Sequence, residues 1–347
     1  MNFKDRYIDV AASLLEALKL MDSIDKKLLI VLKKGNFMGL LSIGDIQRAI
    51  IRNVDLSAKV EEVMRKNFRY ASHNSSVDDV KSMMIYHRME LCPVLDDNLH
   101  LVNLYFWEDL FEVESPMLTT FNLPVVIMAG GLGTRLRPLT YIIPKPLIPI
   151  GEKTMLEEIF NRFHQYGCSS FFISVNYKSD LIQFYLNSLK LPFQTQCFSE
   201  EKPLGTAGSL HLLKGKINET FFVSNCDILI EDDYSNILKY HRENGNEITL
   251  VAALKHLPIS YGTLETGEEG QLISMKEKPE ITFKINSGMY ILEPHLLDEI
   301  PENEHFHITQ LIEQILQRKG RVGVFPVSEK SWKDIGEFKE LSKYLYR

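Results

Sequence analysis

Beyond Pro124, short apolar runs alternate with longer stretches whose apolar residues recur at helical spacing, and this alternation constrains the fold more than any other feature. The runs at 125–128, 171–175, 193–198 and 221–223 have the length and composition of strands buried on both faces. Between them, 154–166, 179–189, 206–213 and 234–244 carry amphipathic helical patterns. Further strands are expected at 248–254, 271–276, 283–292 and 321–327. Ile308, Leu311, Ile312, Ile315 and Leu316 predict a helix over 308–319. Such a chain makes an open, mostly parallel, Rossmann-like α/β sheet with helices on both faces.

An open sheet of this kind places its ligand crevice beyond the carboxyl ends of its strands. The first such end carries Met128-Ala129-Gly130-Gly131-Leu132-Gly133-Thr134-Arg135-Leu136-Arg137-Pro138-Leu139-Thr140, continuing to Pro144-Lys145-Pro146-Leu147. It is not a P-loop, because no Gly-Lys-Ser/Thr closes it, and not the dinucleotide fingerprint, because Leu136 stands where the third glycine belongs. It is a long, proline-stiffened turn bearing Arg135, Arg137 and Lys145. Its glycines let backbone N–H groups approach an anion, and its cations supply side-chain charge for a triphosphate. Further along, Leu204-Gly205-Thr206-Ala207-Gly208-Ser209 allows a flat ring to lie against backbone, although a plain helix start reads the same way. Asp227 closes an apolar strand and Asp334 stands in Trp332-Lys333-Asp334-Ile335-Gly336. Taken singly, each is also compatible with a cap or turn role.

The run from Gly130 to Ile150, with these later motifs in order, resembles the sugar-1-phosphate nucleotidylyltransferase (nucleotide-sugar pyrophosphorylase) family over residues 124–347. The resemblance implies an enzyme joining a nucleoside triphosphate to a sugar 1-phosphate with release of pyrophosphate. It implies nucleotide contacts at Ala129, Gly130, Gly131, Gly133, Thr134 and Arg135, and at Gly205, Thr206 and Gly208 around the base. Asp227 and Asp334 would hold Mg²⁺. Gly262 after Tyr261, Glu277 and Lys278 before Pro279, and Asn286 would meet the sugar phosphate. Ser287 departs from the small apolar residue common at that point of the family. Arg135, Lys145 and Lys278 are the expected catalytic cations. A sugar phosphate is largely dianionic at neutral pH, so the chemistry needs charge neutralisation and positioning rather than a base or a covalent intermediate. Cys226 beside Asp227 reads as a small buried hydrophobe. His305 and His307 read as capping or surface residues.

Residues 1–115 read as two copies of a small helix–strand–strand–helix unit, about 1–57 and 58–115, followed by a linker at 116–123. Phe37-Met38-Gly39-Leu40-Leu41-Ser42-Ile43-Gly44-Asp45-Ile46 and Leu91-Cys92-Pro93-Val94-Leu95-Asp96 resemble paired CBS modules, a small α+β repeat. That resemblance implies an adenine nucleotide with its ribose on Asp45, or a ligand-free pair used for homo-oligomer formation. The second copy has Asn103 where the first has Gly39.

A CBS pair ahead of this transferase resembles bacterial glucosamine-1-phosphate guanylyltransferases of legionaminic acid synthesis, implying GTP as donor and a cell-surface polysaccharide precursor as product. Mannose-1-phosphate guanylyltransferase, or another NDP-sugar pyrophosphorylase, is the alternative. A metal-dependent glycosyltransferase would carry a DxD pair, where this chain has Cys226-Asp227-Ile228-Leu229. A nucleotide sensor with an inactive transferase half would not be expected to keep Arg135, Lys145, Asp227 and Asp334. The formal net charge of −7 argues against a nucleic-acid surface, and no apolar run reaches the ~18 residues of a membrane span. Four scattered cysteines without CxxC spacing point to a reducing cytoplasm.

Overall fold

Seven strands hydrogen-bond into the main sheet: β1 (Val125–Met128), β2 (Ser170–Val175), β3 (Gln194–Ser199), β4 (Phe221–Asn225), β5 (Ile248–Pro258), β6 (Glu280–Leu292) and β7 (Val322–Val327). Their order is β3-β2-β1-β4-β6-β5-β7. β3, β2, β1 and β4 are parallel neighbours, β7 runs parallel to β5, and only β6 is antiparallel to both of its neighbours. The expected open, mostly parallel α/β sheet is therefore present. The computed structural model describes residues 4–87, 89, 91–98, 100–111 and 119–345. The chain divides into two units, Met1–Leu118 and Thr119–Arg347.

The apolar runs have no polar alternation because successive residues face two cores. Phe172, Val126 and Val223 pack with Leu311 and Ile315 of the helix Ile308–Gln317. Phe171 and Phe222 turn the other way, onto Phe160 and Phe163 of the helix Met155–His164, with ring centroids 4.9 and 5.2 Å apart. That helix starts where Thr154 and Glu157 form a reciprocal capping box. No helix among the described residues is long and apolar enough to cross a membrane.

Several elements differ from their sequence patterns. Residues 206–213 form not an α-helix but a short 3₁₀ stretch, Gly208–Leu213, because the Ala207 and Gly208 N–H groups both donate to the Phe306 carbonyl. The strand expected at 271–276 does not join the main sheet: Leu272–Lys276 pairs with Thr263–Thr266 as a separate hairpin. β5 and β6 are longer than expected and continue past the sheet as a two-stranded ribbon, in which Leu254 to Pro258 pair with Lys284 to Glu280. Polar residues such as Lys255, Thr282 and Lys284 mask this ribbon in the sequence.

The N-terminal unit holds two three-stranded sheets of matching topology. Tyr7–Asp9, Leu28–Lys33 and Asn36–Ser42 form one; Ala71–Ser72, Leu91–Leu95 and Leu101–Phe106 form the other. In each, the first pair is parallel and the second antiparallel. Ile30, Phe37 and Leu40 share one core with Leu91, Leu95 and Phe106. Ile8, Ala11, Leu14, Leu15 and Leu18 recur at helical spacing, yet Ile8 lies in a strand opposite Val31; the helix begins at Leu14, where Ser13 and Glu16 form a capping box. Near the expected repeat boundary, Leu14 N donates to Ala58 O, Val60 N to Ala12 O and Arg65 N to Leu40 O, so the segment 58–65 is hydrogen-bonded to elements of the first repeat. Of the expected linker, 116–118 lie outside the described residues. Phe121 stacks on Tyr166 and Phe222 at 5.5 Å, so the end of that segment is packed onto the second unit.

Candidate active site

The site is built on a small apolar floor. Leu136, Ile148, Met155, Ile335 and Leu341 are buried together, drawn from the glycine turn, the Lys145 turn, a helix, the Trp332 segment and the C-terminal helix. Leu136 follows Arg135, and Ile335 stands between Asp334 and Gly336. Each buried aliphatic contributes about 1.5–3 kcal/mol and anchors the polar residues beside it at the surface of the cluster. Backbone pairing completes the assembly. Trp332–Asp334 runs antiparallel to Ile228–Ile230, setting Asp334 opposite Ile228, and Ile335 N donates to Asp227 O at 2.9 Å.

Residues far apart in sequence therefore converge. The Lys145 ammonium donates to Asp227 Oδ2. Arg135 reaches Asp227 Oδ2 at 3.7 Å, Asp334 Oδ2 at 4.0 Å and Glu337 Oε1 at 3.4 Å. Asp227 is buried and Asp334 partly so. Burial, aided by the nearby Asp227 charge, raises the Asp334 carboxyl above its usual range, while the Gly336 N–H at 2.9 Å and the two cations pull it back. The donor set suits a hard divalent cation, since two carboxylates supplemented by substrate phosphates are a common way of holding Mg²⁺. Space agrees with chemistry. A Cβ on Gly336 would overlap Asp227 Oδ2 and lie 2.8 Å from Asp334 Oδ1, so the absence of a side chain here is what lets the two carboxylates approach each other.

The glycine turn is held in register with its surroundings. Ala129 N donates to Ser174 O, and Thr140 Oγ1 donates to Gly133 O at 2.9 Å. Gly133 has φ +63° and packs so closely on Thr140 and Lys145 that a side chain would strike Thr140 Cγ2 at 2.8 Å. Gly130 and Gly131 lie at the start of this turn and Thr134 opens its short 3₁₀ segment. The 204–209 loop is equally close-packed. Gly205 has φ +83°, and a Cβ there would sit 2.7 Å from Phe306 O. Thr206 Oγ1 accepts from Ile308 N at 3.0 Å, while its exposed neighbour His307 occupies the N-cap position of the following helix.

The residues expected around the sugar phosphate lie elsewhere, in the connections between the ribbon and the separate hairpin and on the β6 strand. Lys278 and Glu277 are exposed, and Lys278 adopts the left-handed backbone region at φ +45° immediately before Pro279. Such strain in a pre-proline residue is a feature of functional turns. Glu277 lies over Gly262, where a Cβ would meet Oε2 at 2.9 Å. Asn286 donates to the Tyr290 hydroxyl at 2.7 Å and accepts from Gly288 N at 3.1 Å. Among the described residues, no hydrogen bond or ion pair joins Lys278, Glu277 or Asn286 to the acid pair.

Sequence reasoning missed three contributors. Glu200 is a buried carboxylate that accepts from Ser174 Oγ at 2.6 Å and Leu204 N at 2.9 Å, tying β2 to the 204–209 loop beside Gly130. Its place in a charged run, Glu200-Glu201-Lys202, concealed it. Glu337 and Gly336 follow Asp334 directly, and only their three-dimensional neighbours reveal them. Cys226 is buried, and its thiol is pushed up to about 12 by burial and the adjacent Asp227 charge, which leaves it a poor nucleophile.

In the N-terminal unit, Asp45 is fully engaged. Its Oδ2 accepts from Ser42 N at 2.8 Å and Ser42 Oγ at 2.6 Å. Its Oδ1 accepts from Arg48 and, at 2.8 Å, from Arg65. Burial alone would raise this carboxyl, but the hydrogen bonds from Ser42 and Arg65 outweigh it and hold it below the ordinary range. The side chain of Asp109, its expected counterpart, lies outside the described residues.

An open sheet with glycine turns, two acids and two cations at one edge defines a nucleotidyltransferase-type α/β domain. The nucleotidyl transferase family model matches residues 124–346, and the chain belongs to that family; a CBS domain model matches residues 60–115. A probable mannose-1-phosphate guanylyltransferase of Oryza sativa is 35% identical over 184 residues, covering 50% of this chain and 51% of the relative. The Mycobacterium tuberculosis mannose-1-phosphate guanylyltransferase is 30% identical over 224 residues, 63% and 62% of the two chains. The chain thus spans about half to three-fifths of the curated relatives it matches. Among solved structures, Yersinia pseudotuberculosis HddC complexed with GMP-PN aligns with TM-score 0.50 at 26% identity, over 64% of this chain and 97% of that one.

Proposed function

We propose that this chain transfers GMP from GTP to a hexose 1-phosphate and releases pyrophosphate, with mannose 1-phosphate the best-supported acceptor. The observation that carries the reading is the convergence of Asp227, Asp334, Lys145 and Arg135 beside Gly336. Guanine and mannose are supported by the relatives, which are mannose-1-phosphate guanylyltransferases, and guanine also by the GMP-PN complex of HddC.

An oxygen of the sugar phosphate bonds to the α-phosphorus as the bond from that phosphorus to the pyrophosphate oxygen breaks. No proton has to move, because the attacking monoester is already largely dianionic at neutral pH. A divalent cation, Mg²⁺ by its fit to this donor set, would sit between Asp227 and Asp334 and neutralise phosphate charge. Lys145 exchanges its Asp227 partner for the α-phosphate, and Arg135, more than half exposed, swings from its carboxylates onto the departing phosphates. Lys278 brings the acceptor phosphate in from the turn that precedes β6. Ala129, Gly130, Gly131, Gly133 and Thr134 offer backbone to the triphosphate, and Gly205, Thr206 and Gly208 offer a close-packed wall to the base. Glu277, Gly262 and Asn286 line the sugar side. The saturated partners of Asp45 favour a structural role there over the ribose of an adenine nucleotide.

Pyrophosphate release, measured for GTP, ATP, UTP and dTTP against mannose, glucosamine and glucose 1-phosphates with and without EDTA, tests the reading. GTP with mannose 1-phosphate should be fastest, and chelation should abolish it. A preference for glucosamine 1-phosphate would restore the acceptor suggested by the CBS-linked architecture. Absence of pyrophosphate with every pair overturns the function.

A further inference from the structure

We infer that Gly336 is a positioning residue whose missing side chain lets the Asp227 and Asp334 carboxylates come together where they would hold the cation; the inference rests on the activity proposed above. Glycine is usually required where the backbone turns left-handed, but Gly336 is not among the positive-φ glycines of this chain. Its conformation is open to any residue. Space is what forbids a side chain. A Cβ would overlap Asp227 Oδ2 and stand 2.8 Å from Asp334 Oδ1 and 3.0 Å from Lys145 Nζ. No other glycine of the chain has a missing side chain that points into carboxylate oxygens of two aspartates at once.

The same residue orients one of those acids. Gly336 N–H donates to Asp334 Oδ1 at 2.9 Å, leaving Oδ2 as the atom nearer Arg135. Ile335, buried in the floor, fixes the backbone from the other side. Gly336 thus acts through its missing side chain and its N–H: it admits the Asp227 carboxylate beside Asp334 and Lys145, and it fixes the direction in which the Asp334 carboxylate faces its neighbour. Groups that orient metal-binding side chains without touching the metal typically govern affinity by about 10–100-fold.

The test uses the full chain and Mn²⁺ alone, followed by loss of the free-ion EPR signal. Wild-type protein should bind Mn²⁺, and Gly336→Ala should bind it about 10–100-fold more weakly. A wild-type protein without a Mn²⁺ site, or a variant that binds as well as wild type, overturns the inference. Thermal melting separates crowding from a backbone requirement. Gly336→Ala should lower Tm in the wild-type background but not further in Asp227→Ala, where the obstructed oxygen is gone. An equal drop in both backgrounds makes the glycine merely structural and sinks the idea. Failure of the function itself reads differently: Mn²⁺ would bind and respond to Gly336→Ala, yet no pair of substrates would yield pyrophosphate.

Discussion

Two buried aspartates, one in each unit, show two ways in which a fold can hold a carboxylate. Asp45 and Asp227 are 7% and 6% exposed, and each faces two cationic side chains. Asp45 is closed: Ser42 fills one oxygen within a capping box, and Arg48 and Arg65 fill the other. Asp227 is open. Its cations share one oxygen, and beside that oxygen Gly336 contributes no side chain. Burial with saturated hydrogen bonding fixes a fold, whereas a buried carboxylate whose cations share one oxygen beside a second acid is suited to holding a ligand ion.

The strongest way to break this contrast is Asp227→Asn, which removes charge and keeps shape. Turnover should fall on the order of 100- to 1,000-fold in steady-state pyrophosphate release, with the melting curve little changed. Wild-type rates would place Asp227 outside the site.

Asp45→Ala should do the opposite. Denaturant unfolding should show a loss of about 2–3 kcal/mol, because Ser42 loses its partner and two guanidinium groups are left facing each other, while turnover is unchanged. Because the Asp45 carboxyl is held below its ordinary range, its contribution is present above about pH 4 and lost as the pH falls further. A drop in turnover with intact stability would reverse the two roles.

A third buried polar group sharpens the rule. His241 contacts Thr249 Oγ1 at 2.8 Å and Glu293 Oε1 at 3.0 Å, and burial lowers its pKa despite the carboxylate. The unfolded chain therefore takes up a proton first, near pH 6.5, so stability should be held above that pH and decline as it is lowered. Melting temperatures of wild type and His241→Gln between pH 8 and 5 check this, the variant showing the shallower slope.

The smallest effect is expected at Glu337→Gln. Its ion pair with Arg135 joins two side chains that are each more than half exposed, so stability should move by no more than about 0.5 kcal/mol. Turnover should change only a few-fold, through looser placement of Arg135.

Much of the sheet was readable because a strand buried on both faces and a helix buried on one leave local periodicities, as at 125–128, 171–175 and 308–319. The cation-bearing turn was readable because its glycines and prolines are unusual residues packed closely together. The ribbon was not, since its exposed strands carry mixed residues, and neither was the strand at Ile8, where pairing with Val31 outweighed a helical pattern. Glu200 and Glu201 are indistinguishable in the sequence; only the approach of Ser174 and Leu204 selects the first.

The sequence by itself determined the alternation of elements, the chemistry stored in the Gly130–Lys145 turn, and the two acids expected to work with it. Tertiary structure alone decided that Arg135 meets Glu337 across 202 residues, that Asp45 is spent on its neighbours, and that Gly336 packs against both acids. Periodicity records whether each residue is buried, which is a local property. Who lies opposite whom depends on how separate elements pack over a shared floor, and no stretch of chain carries that information within itself.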